Sequence, residues 1–161
     1  MRISLLVESP LRNVMLRMRE LDADVRKEIG ARTKPVAQTI WGDTLKEQAL
    51  DRRQSALARS GTVGVTQQNI TLRAGGVGRL SSGTPVSAIA KATEWGADPN
   101  KQIKTRSRTG TAYQRRLGPT FGAPRRGGHV AHPAARVSIR RIAALWVQTA
   151  VRTIHESIER L

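Results

Sequence analysis

Apolar residues recur with two different periods along the chain, and the change of period predicts an α+β fold. Between residues 10 and 58 they recur every three or four positions, as on one face of a helix. A first helix is expected soon after Pro10, with the apolar residues Leu11, Val14, Met15, Met18 and Leu21. A second helical stretch is expected from about Asp22 to Ala58, with Val25, Ile29, Val36, Ile40, Trp41, Leu45 and Leu50. These faces are expected to lie in the core.

Pro35 interrupts the second helical stretch. A proline inside a helix removes a backbone hydrogen bond and costs about 3 kcal/mol. Either the helix kinks or breaks briefly at Pro35, or Thr33 caps a new helix with Pro35 in its first turn. A kink or short break is the preferred interpretation.

From Ser60 the apolar period shortens to that of strands. Residues 62–66 and 69–72 are predicted to form two short strands, joined as a hairpin around Gln67 and Gln68. A brief apolar piece, residues 86–96, is a short helix or strand that stops at Gly96. We expect this piece to join the hairpin in a small antiparallel sheet, with a long N-terminal helix and a C-terminal helix packed on it.

The last segment, residues 133–161, is predicted to be a helix with two apolar stripes. One stripe is Ile139, Ala143, Val147, Val151, Ile154, Ile158 and Leu161, and the other is Ile142, Leu145, Trp146 and Thr149. Two stripes indicate burial on two sides, one against the protein's own sheet and one against a neighbouring subunit. Trp146, Ile154 and Ile158 are therefore expected in the core or at an interface.

The net charge of +16, from 28 Lys and Arg against 12 Asp and Glu, is unevenly distributed. Between Arg52 and His155 the only acids are Glu94 and Asp98. Residues 97–131, here called the arm, have almost no periodicity and carry eight cations: Lys101, Lys104, Arg106, Arg108, Arg115, Arg116, Arg125 and Arg126. Because these charges repel one another, ordering of the arm is expected to need an anionic partner, either DNA or an acidic protein surface.

Composition limits the classes of function. A chain of 161 residues is expected to form one domain with a sizeable core. The absence of cysteine excludes disulfide scaffolds and thiolate metal sites, and the apolar runs are too short to cross a membrane, so a soluble protein is expected. With 3% aromatic residues, a stacking platform for single-stranded nucleic acid is poorly supported, whereas contact with duplex backbone stays open.

Few residues could carry chemistry, and neither an enzyme nor a cofactor is expected. His129 and His132 have a His-x-x-His spacing, but the nearest preceding acid lies about 30 residues away, so both are expected to end the arm and not to bind a metal. The glycines at 75, 76 and 78 lack the Lys-Ser/Thr ending of a phosphate-binding loop and indicate a turn.

Glu94, Trp95 and Gly96 form the most distinctive short string. Trp95 is expected in the core, and Gly96 is expected to end the preceding piece as a left-handed cap. Glu94 is nearly alone in a basic region, and it could pair with an arginine inside the subunit or across an interface. The sequence leaves the role of Glu94 open.

The order of these elements resembles the tail-completion or neck proteins of long-tailed phages, the group that includes the minor tail protein Z type. In that family a long helix leads to a stretch like Leu57-Ala58-Arg59-Ser60-Gly61-Thr62-Val63 and then to a strand pair like residues 63–74. A short piece ends in a Glu-aromatic-Gly string, matched by Glu94-Trp95-Gly96 with Trp for the more usual Phe. A basic loop then precedes a pattern similar to His132-Pro133-Ala134-Ala135-Arg136, which opens the last helix.

The resemblance covers most of the chain and implies a non-catalytic virion protein at the junction of head and tail, assembled in the host cytoplasm. We expect a ring of six or twelve copies, with adjacent neck proteins, the tail tube and packaged DNA as partners and no membrane contact. A tail terminator, which is a ring that caps the tail tube, is the alternative in the same class. A free duplex-DNA-binding protein is the alternative in another class, and the lack of an acid, histidine or metal cluster disfavours a nuclease or toxin.

Overall fold

Two long helices and a three-stranded sheet form the frame of the protein in a computed structural model, which describes residues 2–4, 21–66 and 69–159. In chain order the elements are β1 (Arg2–Ser4), α1 (Ala23–Gln48), α2 (Arg52–Arg59), β2 (Thr62–Val65), β3 (Ile70–Arg73), α3 (Val86–Trp95), β4 (Gln102–Arg106), β5 (Ala112–Arg116), a 3₁₀ turn (Pro119–Phe121) and α4 (Ala131–Ile158). The predicted α+β fold is confirmed. Residues 10–20, where the first helix is predicted, lie outside the described residues.

Helices α1 and α4 pack along each other and enclose the largest part of the core. Arg32, in the first half of α1, pairs with Glu156 near the end of α4, whereas Ala131 at the start of α4 borders the same cavity as Leu57 of α2. The two helices therefore run antiparallel. The buried side chains of the two helices include small residues as well as two tryptophans: Thr33, Ala37, Trp41 and Leu45 in α1, and Ala134, Ser138, Ile142, Trp146 and Ala150 in α4.

Helix α1 runs without a break through Pro35. The predicted break, and the new helix capped by Thr33, are therefore wrong, while a kink at Pro35 stays a prediction. Thr33 lies buried inside the helix, and its hydroxyl donates to the carbonyl of Ile29 at 2.7 Å. Pro35 and Ala31 are both exposed, so water can reach the Ala31 carbonyl that loses its helical donor.

The helical stretch predicted to reach Ala58 is divided at residues 49–51. The side chain of Asp51 accepts from the backbone N–H groups of Arg53 at 2.7 Å and Gln54 at 2.8 Å, and this starts α2. An aspartate in this position satisfies helix donors that have no partner in the helix itself, which favours a new start over continuation of α1. As a result Leu50, predicted on an apolar face, is 90% exposed.

The sheet is antiparallel with the strand order β1, β3, β2. The predicted hairpin of residues 62–66 and 69–72 is confirmed, with Val63 opposite Leu72 and Val65 opposite Ile70. Strand β1 pairs with the other edge of β3, and at three residues it is too short for periodicity to reveal. The expectation that residues 86–96 join this sheet is wrong, because Val86–Trp95 is a helix, as its alanine content favours.

Two side chains of α1 fix the sheet against the helix. Gln38 donates from Nε2 to the carbonyl of Gly61 at 2.9 Å, and its Oε1 accepts from the N–H of Val63 at 2.8 Å. The Nε1 of Trp41 donates to the carbonyl of Arg73 at 3.0 Å. These bonds join the helix to the backbone of β2 and β3, so the frame is held by polar contacts as well as by its core.

Helix α4 confirms the predicted last helix, although it begins at Ala131 instead of Pro133. Ile142 and Trp146 are buried, as expected of one stripe, but the row facing α1 is completed by small residues: Ala131, Ala134, Ala135, Ser138, Ala150 and Thr153. Of the other stripe, Ile139, Ala143 and Val147 are half-buried against the core, whereas Val151 and Ile158 are exposed. Within the described ranges, no helix has the length and apolar character that a membrane span requires.

Candidate functional site

The arm contains a β-hairpin. Strands β4 and β5 pair antiparallel, from Gln102 opposite Arg116 to Arg106 opposite Ala112. The turn at residues 107–111 is closed by the N–H of Ser107, which donates to the carbonyl of Thr111 at 2.8 Å. Residues 97–131, which lack apolar periodicity, therefore contain regular structure. Strands β4 and β5 with their turn are called the basic hairpin below.

The two faces of the basic hairpin differ in chemistry, because successive strand residues point to opposite sides. The cationic face consists of side chains that are all exposed: Gln102, Lys104, Arg106, Ala112, Gln114 and Arg116. The opposite face carries Ile103, Thr105, Tyr113 and Arg115, of which Ile103 and Thr105 are half-buried. Lys104 and Arg106 lie two residues apart, roughly 7 Å along β4, so the cationic face concentrates its positive charge in a small area.

All eight cations of the arm are exposed. In the part of the chain that the structure describes, none of them belongs to an ion pair. Asp98, the acid closest to them in sequence, accepts from the N–H of Asn100 at 2.9 Å. The positive charge of the arm is thus left for solvent or a partner, and both partner contact and partner-dependent ordering stay predictions.

Backbone hydrogen bonds fix both ends of the arm beside the end of α3. The N–H of Ala97 donates to the carbonyl of Gly122 at 3.2 Å, and the N–H of Arg125 donates to the carbonyl of Trp95 at 2.9 Å. The chain that leaves α3 at Gly96 therefore returns to the same place before α4 begins.

Helix α2 supports the returning chain from outside. Arg53 donates from Nη1 to the carbonyl of Thr120 at 3.0 Å, and its guanidinium carbon lies 5.5 Å from the centre of the Phe121 ring. A guanidinium at this distance from an aromatic ring is attracted to it. The base of the arm is consequently attached to α2 as well as to α3.

Glu94 closes the base of the arm from inside. It is 3% exposed, and its carboxylate accepts three backbone N–H groups: Oε2 from Val130 at 3.1 Å and Ala131 at 2.7 Å, and Oε1 from His132 at 2.9 Å. The carbonyl of Glu94 also accepts from the N–H of His129 at 2.8 Å. A carboxylate at the end of α3 thus caps the N-terminus of α4, and we call this contact the Glu94 cap.

The Glu94 cap completes the hydrogen bonding of the first turn of α4. Val130 precedes the helix and has no side-chain acceptor, and the first turn contains no acid. Pro133 has no N–H, and the next residue, Ala134, donates to the carbonyl of Val130 at 3.0 Å. With three donors taken by Glu94, every backbone donor at this helix start is satisfied. A negative charge here is also stabilised by the helix dipole.

These contacts correct the interpretations of the Glu94-Trp95-Gly96 string. Among the described residues, Glu94 has no arginine partner, although His132 Nδ1 lies 3.9 Å from its Oε1. Trp95 is half-buried outside the core, and its ring meets that of His132 edge-on with centroids 4.5 Å apart. Gly96 has the expected positive φ of 74°, but its ψ of 176° is not that of a left-handed cap. A side chain at Gly96 would strike the carbonyl of Ala123.

Helix α4 carries a second exposed surface far from the arm. Val147, Val151, Ile154 and Ile158 share one face, here called the apolar strip. Val151 is 63% exposed and Ile158 is 64% exposed, whereas Ile154 is half-buried. Trp146, by contrast, is 2% exposed and belongs to the core. Of the three predicted core or interface residues of α4, Trp146 is therefore core, and Ile154 and Ile158 remain available to an interface.

Sequence reasoning missed the acceptor role of Glu94 and the donors at residues 130–132. A signal for both exists, since the last helix begins without Ser, Thr, Asp or Asn before it and without an acid in its first turn. A helix that lacks a cap of its own needs an acceptor from elsewhere, and Glu94 is one of only two acids between Arg52 and His155.

Neither a metal site nor a match to a known protein adds to the assignment of function. Within residues 2–4, 21–66 and 69–159, no group of three His, Asp or Glu is arranged to hold a metal ion. His129 ends the arm, where its Nε2 lies 3.1 Å from the carbonyl oxygen of Ala123. No protein-family model, curated protein or solved structure matches this chain. Functional assignment therefore rests on the arm, its base and the apolar strip.

Proposed function

We propose that the chain is a structural protein of the joint between the head and the tail of a long-tailed phage, where six or twelve copies form a ring. It acts by contact, and no bond is made or broken. The observation that carries the proposal is the presence of two exposed surfaces of different chemistry on one frame. The basic hairpin leaves the frame at the start of α4, and the apolar strip lies in the second half of α4.

The separation along α4 between the base of the arm and the apolar strip suits a subunit with two kinds of neighbour. Val147 and Ile158 lie roughly 25 and 40 Å along α4 from its first residue, at 1.5 Å per residue. An exposed apolar strip typically marks a protein contact, and a ring uses the same contact between each pair of neighbouring copies. We assign the apolar strip to contacts between copies and the arm to contacts along the axis of the joint.

The base of the arm supports this assignment. The Glu94 cap and the bonds at Ala97 and Arg125 hold both ends of the arm against the frame, so the basic hairpin starts from a defined place. The two strings on which the resemblance to neck proteins depends, Glu94-Trp95-Gly96 and His132-Pro133, contact each other there. Through this contact, both strings join the end of α3 to the start of α4 at the base of the arm.

A duplex-DNA-binding protein is the second candidate, and the cationic face favours it. A tail terminator, a ring that caps the finished tail tube before the head docks, is the alternative within the same class.

Deletion of the reading frame from its phage genome, followed by electron microscopy of the lysate, tests the proposal. Full heads beside unattached tails are expected. Tails of abnormal length would favour the tail terminator. Intact infectious particles would refute both and leave the DNA-binding protein.

Complementation of the deletion then tests the arm. A variant with six arginines changed to serine is expected to fold but not to restore joining of heads to tails: Arg106, Arg108, Arg115, Arg116, Arg125 and Arg126. A control with Lys27, Lys34 and Arg59 changed to serine removes exposed cations outside the arm and is expected to restore it. Normal joining by the six-serine variant would contradict the role of the arm.

A further inference from the structure

We infer that the partner of the cationic face is the phosphate backbone of duplex DNA, bound without regard to base sequence. The inference rests on the proposed function for the origin of the duplex, since a joint between head and tail is a passage for DNA. It concerns the same arm and identifies which of the two anionic partners, DNA or an acidic protein, the arm contacts.

The first reason is the extent of the positive surface. From residue 99 to residue 155 the chain has no Asp or Glu, and it has twelve cations. Beyond the eight of the arm, Arg136, Arg140 and Arg141 are exposed in the first half of α4, the helix that follows the base of the arm. Duplex DNA is a polymer of regularly spaced negative charges, and a long segment with positive charges alone suits such a partner.

The second reason is what the cationic face lacks. Interfaces between proteins have cores depleted of charged residues and enriched in aromatic and apolar ones. The largest apolar side chain on the cationic face is that of Ala112. A protein partner would find no apolar centre on this face, whereas phosphate groups need only the donors that Lys104, Arg106 and Arg116 supply.

The third reason separates duplex from single-stranded nucleic acid. Proteins bind single strands by stacking bases on exposed aromatic rings. Tyr113 is the aromatic residue of the basic hairpin, and it lies on the opposite face from Lys104 and Arg106. The amides of Gln102 and Gln114 lie among the cations and can donate to phosphate oxygens as well.

The helix terminus at the base of the arm takes no part in this binding. A helix N-terminus is a common anion site, but in α4 its free N–H groups are already bonded to Glu94. Binding therefore depends on side chains that can be replaced without touching the frame. This makes the inference testable by charge variants alone.

The test measures binding of the purified full chain to a 30-base-pair duplex by fluorescence anisotropy, between about 50 and 200 mM NaCl. The hairpin variant carries Lys104→Gln, Arg106→Gln and Arg116→Gln. The control variant carries Lys27→Gln, Lys34→Gln and Arg59→Gln, which are exposed positions in α1 and α2. Both variants lose the same net charge, and circular dichroism checks that both fold.

We expect the parent chain to bind two duplexes of unrelated sequence equally. Each phosphate contact contributes about 0.9 to the slope of log affinity against log salt, so the hairpin variant should lose about 2.7 of that slope. When the salt concentration rises fourfold, the affinity of the hairpin variant should therefore fall by a factor about 40 times smaller than that of the parent chain. The control should lose less than about 0.9, the value of a single contact.

Three results would overturn the inference. The parent chain could fail to bind duplex at low salt, the control could lose as much slope as the hairpin variant, or polyglutamate of equal charge could bind as tightly as the duplex. The last result would identify an acidic protein as the partner. A different outcome separates the two proposals. If the hairpin binds duplex but deletion of the reading frame leaves head–tail joining intact, the proposed function is refuted and the DNA contact still holds.

Discussion

Replacing Glu94 by glutamine should destabilise the protein far more than the same replacement at an exposed glutamate. The Glu94→Gln side chain has nearly the same shape, but it has no charge, and one of its two acceptor oxygens becomes an N–H₂ group. Because the site is 3% exposed, water cannot replace the lost acceptor. At least one of the three backbone donors of the first turn of α4 is then left without a partner.

The size of the loss follows from the bonds. A hydrogen bond to a charged group contributes about 1.5–3 kcal/mol, against about 0.5–1.5 kcal/mol for a neutral one. In Glu94→Gln the acceptor of these hydrogen bonds becomes neutral, and one acceptor oxygen is removed. Together these changes should lower the free energy of unfolding by about 2–4 kcal/mol. For a chain of this length that corresponds to a Tm lower by roughly 5–15 °C.

Urea denaturation followed by circular dichroism measures the change, with Glu47→Gln as the matched control. Glu47 is exposed near the end of α1, and its replacement should stay within about 0.5 kcal/mol of the parent chain. Hydrogen exchange should also be faster at the amides of residues 130–132. Equal stability of the two glutamine variants would show that the carboxylate does not cap α4.

Two further predictions concern the base of the arm and the contact between the long helices. Gly128 has a φ of +71°, and a Cβ there would meet the cap carboxylate, so Gly128→Ala should lower the free energy of unfolding by about 2 kcal/mol. Gly127→Ala, where a Cβ meets nothing, is its control, and equal losses in a urea titration would contradict the prediction. The pKa of Glu156 lies below its usual 4.5 because Arg152 and then Arg32 donate hydrogen bonds to it. The stability that the charged Glu156 contributes is therefore full above about pH 4.5 and is lost as the pH falls through the lower folded pKa. Glu156→Gln should flatten the acid side of a plot of the free energy of unfolding against pH. An unchanged plot would contradict this prediction.

The elements that periodicity predicts well are those with one buried face. The β2–β3 hairpin alternates apolar and polar residues, and α4 repeats apolar residues at helical spacing, so both could be predicted from the sequence. The basic hairpin has no buried face to mark it, since all five residues of β5 are exposed. Its pairing depends on backbone bonds and on the turn at residues 107–111, which leave little trace in hydrophobicity.

The wrong expectation at Pro35 and the open role of Glu94 have different physical causes. Pro35 was expected to kink α1 or break it briefly, and the break is absent because Pro35 and Ala31 are exposed and water can reach the freed carbonyl. The role of Glu94 was left open, because side-chain charges are visible in a sequence while the partial charge of a helix N-terminus is not. The Glu94 cap joins residues 36 to 38 positions apart, and only the tertiary fold brings them together.

The bonds that close the base of the arm also make the arm an exchangeable insert. The rest of the protein holds the arm mainly at its two ends, at Gly96 and at the start of α4, where the cap carboxylate and the backbone bonds join them. Arg53 adds one contact to the returning chain at Thr120 and Phe121. Lengthening a loop whose ends are already joined is inexpensive, about 0.6 kcal/mol for each doubling. The same pair of long helices can therefore carry arms of other lengths and charges, and a change of partner needs no change in the core.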